Sequence, residues 1–277
     1  MRNILRPDGP FARVARHVRE LHRVRVANVN QGEPTADRGK RPAALRGEPD
    51  PEEDTVTSPV AVRDVSKTYR LGKLAVTALA DVSLTVEAGE FLAVAGPSGS
   101  GKTTLLNLIG CLDTPTSGEI AIDGEPVGRL SAGRRADLRA RKLGFVFQTF
   151  NLIPVLTAYE NVEYPLLIHR RGGDSATRVR AMLEQVGLAD RARHRPAELS
   201  GGQQQRVAIA RALVGEPALV LADEPTANLD SHTGQEIIEL MRRLNRERGT
   251  TYVFSTHDPR IMKAADRVIE ISDGRLR

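Results

Sequence analysis

Eight consecutive residues, Gly96-Pro97-Ser98-Gly99-Ser100-Gly101-Lys102-Thr103, carry the spacing G-x-x-x-x-G-K-[ST]. Glycines let a backbone curl until successive N–H groups converge on one point, which makes a cradle for an anion. Lys102 adds a positive charge that can reach the outer phosphates of a triphosphate. The Thr103 hydroxyl adds a hard oxygen donor of the kind Mg²⁺ takes. A second chemical pair, Asp223-Glu224, follows the apolar run Ala218 to Ala222. Beside a phosphate cradle, the first carboxylate can complete a Mg²⁺ shell and the second can orient or deprotonate an attacking water. A third group, Leu199-Ser200-Gly201-Gly202-Gln203, places a hydroxyl and two glycines at the start of a helical run. That group reads either as a second anion site or as a serine N-cap with a flexible approach.

The elements that position these groups follow from the apolar pattern. Phe91 to Ala95 reads as a buried strand into the glycine-rich loop, and Thr104 to Leu112 as the helix that leaves it. The start of that helix adds the positive end of its dipole to the cradle. Val60 to Val62 and Val82 to Val86 alternate like half-buried strands, with Tyr69 between them. Gly118 to Asp123 reads as a strand turned by Asp123-Gly124, and Gly144 to Phe147 as a buried strand ending at Gln148. Arg129 to Lys142 is a polar, Arg-rich helix or loop. From about residue 149 the spacing becomes helical, over Val162 to Ile168 and Ala176 to Val186, with Gly172-Gly173 as a break. A helix follows Ser200 as far as Leu213. Thr251 to Thr256 is another buried strand, ending at His257-Asp258, and Val268 to Ser272 the last one. Strands alternating with helices imply a mainly parallel sheet covered on both faces, with functional loops at the carboxyl ends of its strands.

The chain has 277 residues and a formal net charge of +5, and only six of its 40 basic side chains are lysine. The excess is mild, and aromatics make up only 4%, so neither a nucleic-acid-scale basic field nor a base-stacking groove is expected. One cysteine, Cys111, rules out an internal disulfide. It reads as a small core residue in the helix after the loop, which fits a reducing compartment. No run of about 18 apolar residues exists, so no span of a membrane is expected here. Residues 1–58 differ from the rest and are read as a disordered, basic and Pro-rich extension. Within it, Phe11, Val14, Val18 and Leu21 fall at helical spacing among arginines. A basic amphipathic helix on an anionic membrane surface, or an upstream start codon read into the chain, therefore stays open. Residues 59–277 form the ordered domain.

In this order and company, the motifs make the chain similar to the ATPase subunits of ATP-binding cassette (ABC) transporters. The resemblance covers about residues 60–277. It implies an α/β fold of the P-loop NTPase, RecA-like type: a mainly parallel sheet, a small antiparallel β-layer and a helical subdomain at about residues 149–205. It implies ATP and Mg²⁺ as ligands and ATP hydrolysis as the reaction. Gly96 to Thr103, with Thr104 following, match the phosphate loop, and Tyr69 the aromatic that stacks on adenine. Gln148 matches a glutamine that bridges Mg²⁺ and the transporter-facing subdomain. Ser200, Gly201, Gly202 and Gln203 match the family signature. Asp223 and Glu224 match the metal-binding aspartate and the catalytic glutamate. Asn228-Leu229-Asp230 matches the loop that crosses a dimer interface, and His257 the switch histidine. Catalysis is thus assigned to Glu224, His257, Lys102 and Gln148, and the metal to Thr103, Gln148 and Asp223.

The resemblance also implies partners. Two copies close head to tail, so that each ATP lies between one phosphate loop and the opposite Ser200 to Gln203. Gly110 to Gly118, Phe145 to Pro154 and Tyr159 to Leu167 resemble the lipoprotein-release and macrolide-export class. Polar amino-acid importers share Phe150 to Pro154 and are the alternative. Either class implies a separate transmembrane permease that holds the subunit at the cytoplasmic face of the plasma (inner) membrane. Leu152 to Leu156 is expected to form part of a permease-facing groove. A soluble ABC ATPase acting on DNA or the ribosome is the third class. The single cassette and the lack of heptads argue against it.

Overall fold

The computed structural model describes residues 58–72, 74–168 and 174–277. The expected N-terminal extension up to residue 57 and the Gly172-Gly173 break lie outside the described residues. A long hairpin comes first, β1 (Val60–Leu71) and β2 (Leu74–Val86), followed by β3 (Phe91–Ala95) and α1 (Lys102–Ile109). Next come β4 (Ser117–Ile122), the two-residue β5 (Glu125–Pro126), α2 (Ala132–Lys142) and β6 (Leu143–Val146). Three helices then run in succession: α3 (Ala158–Ile168), α4 (Ser175–Gln185) and α5 (Gly201–Leu213). The chain returns through β7 (Leu219–Asp223), α6 (Ser231–Arg248), β8 (Thr251–Thr256), α7 (Pro259–Ala264), β9 (Arg267–Ser272) and β10 (Arg275–Leu276).

The strands make two sheets. An antiparallel one has the order β2-β1-β4-β5, and a six-stranded one the order β10-β9-β3-β8-β7-β6. Every pair in the larger sheet is parallel except β9 with the short β10. This is the mainly parallel sheet with a small antiparallel layer that the motifs imply. All of β3 and all of β8 are buried, as expected for strands covered on both faces. Side chains alternate across such a sheet, and the core divides accordingly. Phe91, Ala93, Val220, Ala222, Tyr252 and Phe254 face one core, filled by α3 to α6. Leu92, Val94, Leu219, Leu221 and Val253 face the other, filled by α1 and the antiparallel layer.

The structure departs from the sequence reading in four places. β1 and β2 are far longer than the two apolar segments, so Tyr69 lies within β1 and not between short strands. Register shifts between Val62 and Thr68, with Asp64 at φ 48°, break the alternation that would have marked the strand. The helix after the phosphate loop stops at Ile109, three residues early. Gly110 caps it and Cys111 turns into the left-handed region at φ 54°; Cys111 is still buried, and burial pushes its thiol up to about 11. Asp273 and Gly274 turn the chain into β10, so β9 is not the last strand. Residues 152–156 do not form a continuous apolar surface. Leu156 is fully buried and Leu152 packs on the core, which leaves Val155 as the exposed large side chain.

β3, β8, β7 and β6 are adjacent in that order, and their carboxyl ends lead into Gly96, His257, Asp223 and Gln148. At about 4.8 Å between strands, all four ends fall within about 15 Å.

Candidate functional site

Gly96 and Gly101 are demanded by space as well as by conformation. Gly96 has φ 152°, and a Cβ there would lie 2.1 Å from the Ile271 carbonyl oxygen. Gly101 has φ 111°, and its Cβ would lie 2.5 Å from the Ala78 carbonyl oxygen. Gly101 is also the N-cap of α1 and supplies no side-chain cap. The first N–H groups of α1 therefore lack an intrahelical or capping acceptor, which is the arrangement that attracts an anion.

Lys102, only 7% exposed, donates from Nζ to the carbonyl oxygens of Gly96 at 2.7 Å and Pro97 at 2.8 Å. No carboxylate pairs with it among the described residues. A buried cation held only by carbonyls fits a group that is completed by phosphate oxygens. Thr103 Oγ1 lies 3.3 Å from both carboxylate oxygens of Asp223, which joins the loop to the end of β7. A hydroxyl beside one carboxylate is a hard-oxygen set suited to Mg²⁺, with remaining ligands drawn from phosphate and water. Among the described residues no cluster of three or more His, Cys, Asp or Glu could hold a metal by itself.

Glu224 follows directly and sits in the left-handed region at φ 46°, an unusual place for a residue with a long side chain. Its backbone N–H donates to the Ser255 carbonyl at 2.9 Å, which ties the turn to β8. His257 Nδ1 lies 2.7 Å from Glu224 Oε1. An ionised carboxylate only accepts, so the ring donates from Nδ1 and Nε2 is the free nitrogen. Glu224 is largely enclosed while His257 is mostly exposed. The next residue, Asp258, anchors the histidine. It accepts from Thr226 Oγ1 at 2.7 Å and from Arg260, and it caps α7. Burial alone would raise its carboxyl, but the hydrogen bonds from Arg260 and Thr226 outweigh that and bring it down to about 2.

Gln148 is exposed just beyond β6, and its carbonyl accepts from Asn228 Nδ2 at 2.8 Å. Phe150 and Asn151 after it are both left-handed, at φ 58° and 49°. Arg211 of α5 holds both of their carbonyls. Ser200 caps α5: its Oγ accepts from Gln203 N at 3.3 Å while Gln203 Oε1 accepts from Ser200 N at 3.0 Å. The N-cap reading of this serine is thus realised, at an exposed helix start. Gly202 is required by packing, because a Cβ there would lie 2.4 Å from Thr233 Cγ2 of α6. Gly201 lies against Leu229 and Phe150. Asp230, assigned from sequence to the nucleotide, caps α6 by accepting from the His232 and Thr233 amides, each at 3.0 Å.

Two neighbourhoods result. Lys102, Thr103, Asp223, Glu224 and His257 are linked through the carboxyl ends of β3, β7 and β8. Ser200 to Gln203, Leu229 and Phe150 form the other. The hydrogen-bond partners of Ser200 and Gln203 lie within their own helix start and not in the phosphate loop. Tyr69 stands at the antiparallel layer, 36% exposed, with its hydroxyl donating to Asp113 at 2.9 Å. Sequence reading missed Lys67, Asp113, Thr226, Asp258 and Arg211. Lys67 and Tyr69 meet at Asp113, far along the chain, through a strand whose register slips between Lys67 and Thr68, so spacing alone carried no signal for them.

A family profile described as "ABC transporter" matches residues 79–227. The lipoprotein-releasing system ATP-binding protein LolD of Bordetella pertussis is 50% identical over 213 residues, covering 76% of this chain and 92% of that protein. The macrolide export ATP-binding/permease protein MacB of Syntrophobacter fumaroxidans is 50% identical over 219 residues, 78% of this chain. The match spans only 30% of that longer protein. Among solved structures, the dimeric post-hydrolysis state of the cassette MJ0796, a Methanocaldococcus jannaschii protein, bound to ADP and Pi, superposes with a TM-score of 0.73. It is 47% identical and covers 79% of this chain and 96% of that one.

Proposed function

Since the chain belongs to the ABC transporter family of ATP-binding subunits, we propose that it hydrolyses ATP at the seam between two copies and so powers a separate permease. The observation that carries this is the convergence at three adjacent strand ends: a buried lysine held by two backbone carbonyls, Thr103 on Asp223, and Glu224 on His257. The first N–H groups of α1 and Lys102 hold the phosphates. Thr103 and Asp223 would hold Mg²⁺, with Gln148 at the neighbouring strand end as a further oxygen donor. When bound, that ion neutralises charge on the outer phosphates. Glu224 orients a water and takes its proton as the water oxygen bonds to the terminal phosphorus and the bond to ADP breaks. His257 is held on Glu224 through Nδ1, which would leave Nε2 for the same phosphate. Positioning and electrostatics dominate such a transfer.

Ser200 to Gln203 complete the site of the other copy. Two facts support this: Ser200 and Gln203 have no bond to their own phosphate loop, and the 47%-identical neighbour is dimeric with ADP and Pi. Asp230 caps the helix beside that signature and fixes the loop at the seam. The relatives' names, LolD and MacB, point to a lipoprotein-release or macrolide-export class of system. Among the described residues no helix is long and apolar enough to cross a membrane. Attachment at the cytoplasmic face would then come through the permease. Residues 149–205 act as its docking subdomain.

The docking surface has its own test. Val155, Leu167 and Ile168 are exposed apolar side chains on this segment. Val155→Asp should sharply cut co-purification with a co-expressed permease, while ATPase activity of the free subunit stays at the unmodified level. Undiminished co-purification would refute docking through this face.

A further inference from the structure

We propose that Asp113 and Lys67 are positioning residues that hold the Tyr69 ring ready for the adenine base, leaving one ring face for it. This rests on the reading of Tyr69 as the base-stacking side chain. The segment after α1 is laid along β1: Thr116 N donates to the Ser66 carbonyl at 2.9 Å, and Thr68 N donates to Thr116 Oγ1 at 3.0 Å. That contact brings Asp113 beneath Tyr69 and Lys67, which are 44 and 46 residues earlier in the chain. Oδ1 of Asp113 accepts from Lys67 Nζ at 2.8 Å and from Thr114 N at 2.7 Å. Oδ2 accepts from the Tyr69 hydroxyl at 2.9 Å. Lys67 Nζ also donates to the Thr114 carbonyl at 2.7 Å and stands 4.8 Å from the Tyr69 ring centroid.

Each contact has a separate effect on the ring. The phenol–carboxylate bond fixes the far end of a side chain that would otherwise sample several rotamers on an exposed strand. The ammonium lies within cation–π range of the ring. It is pinned by two oxygens of the Asp113–Thr114 segment and cannot drift away. One side of the ring is therefore attended by Lys67. Tyr69 is more than a third exposed, so the ring remains open to a ligand. Ordering the platform before the base arrives removes a conformational cost from binding. The carboxylate stays charged throughout: burial alone would raise it, yet the Lys67, Thr114 and Tyr69 hydrogen bonds hold it below its ordinary value. Asp113 falls in the Gly110 to Gly118 stretch, whose residue pattern has no direct part in phosphate chemistry. Its work on this reading is to hold Tyr69.

The test separates base recognition from phosphate recognition in the full-length chain. Asp113→Asn, Lys67→Met and Tyr69→Phe should each raise KM for ATP about three- to tenfold, the loss expected for one or two hydrogen bonds. kcat should stay within about twofold. Inhibition by inorganic tripolyphosphate, which carries phosphates and no base, should keep its unmodified concentration dependence. Combining Tyr69→Phe with Asp113→Asn should cost no more than Asp113→Asn alone, since the Asp113 change already reaches the bond that Tyr69→Phe removes. Tyr69→Phe alters only one exposed hydroxyl, so it carries the test if the Asp113 variant folds poorly. Should Tyr69→Ala leave KM for ATP unchanged, the stacking role of Tyr69 itself is wrong. Should Tyr69→Ala raise KM while the other three variants do not, the stacking role stands and the positioning role is overturned. Equal weakening of ATP and tripolyphosphate would also overturn it, by assigning the cluster to the loop's fold.

Discussion

Lys102→Ala is expected to abolish ATP turnover, lowering kcat by a factor of about 10² or more, the scale seen when one donor to a developing oxyanion is removed. Lys102 is the one positive charge in the loop, and it is buried. Its present acceptors, the Gly96 and Pro97 carbonyls, are the weak partners of a group built for phosphate oxygens. Removing it takes charge from both bound and transition states, so ATP affinity should fall as well. The fold should survive, because alanine suits the first turn of a helix and leaves no unpaired acid behind. Phosphate release by the purified variant checks this, with a thermal melt as the control for folding. Turnover within about threefold of the unmodified chain would remove Lys102 from the machinery.

Glu224→Gln should separate binding from hydrolysis. Loss of a positioned general base costs about 10² to 10⁴ in rate. Glutamine has nearly the same shape, and its Oε1 can still accept from His257 Nδ1, so the 2.7 Å contact and the strained turn at φ 46° need not change. What is lost is the ability to take a proton. ATP should therefore still bind and still draw two copies together, and ATP-loaded dimers should accumulate. Sedimentation with ATP should reveal dimer in the variant at concentrations where the unmodified chain, which consumes its ATP, is mostly monomer. Dimers of the variant that hydrolyse ATP at the ordinary rate would show that Glu224 is not the base.

These two residues were legible in the sequence because their neighbours leave little freedom. β3, β7 and β8 are short, apolar and buried on both faces, so each reads as a strand whose carboxyl end must deliver its loop to one edge of the sheet. Phosphate-loop spacing then names the ligand class. Other features depended on contacts that spacing does not encode. The Lys67–Asp113 pair joins residues far apart in the chain, through a strand whose register slips and a helix that ends early at Gly110. Thr226 to Asp258 and Arg211 to the Phe150 carbonyl are likewise side-chain bonds across the fold. The apolar stretch at 152–156 misled in the opposite sense. Its hydrophobicity was plain, but Leu156 turns inward and Val155 outward, which only the three-dimensional path decides.

One copy holds two half-sites and cannot hydrolyse ATP alone. Phosphate release per chain should therefore be followed as the protein is diluted from the dimeric to the monomeric range defined by sedimentation. The rate per chain should fall toward zero as dimers disappear, with the total rate varying as the square of concentration at the dilute end. A rate per chain that stays constant into the monomeric range would mean that a single copy carries a complete site.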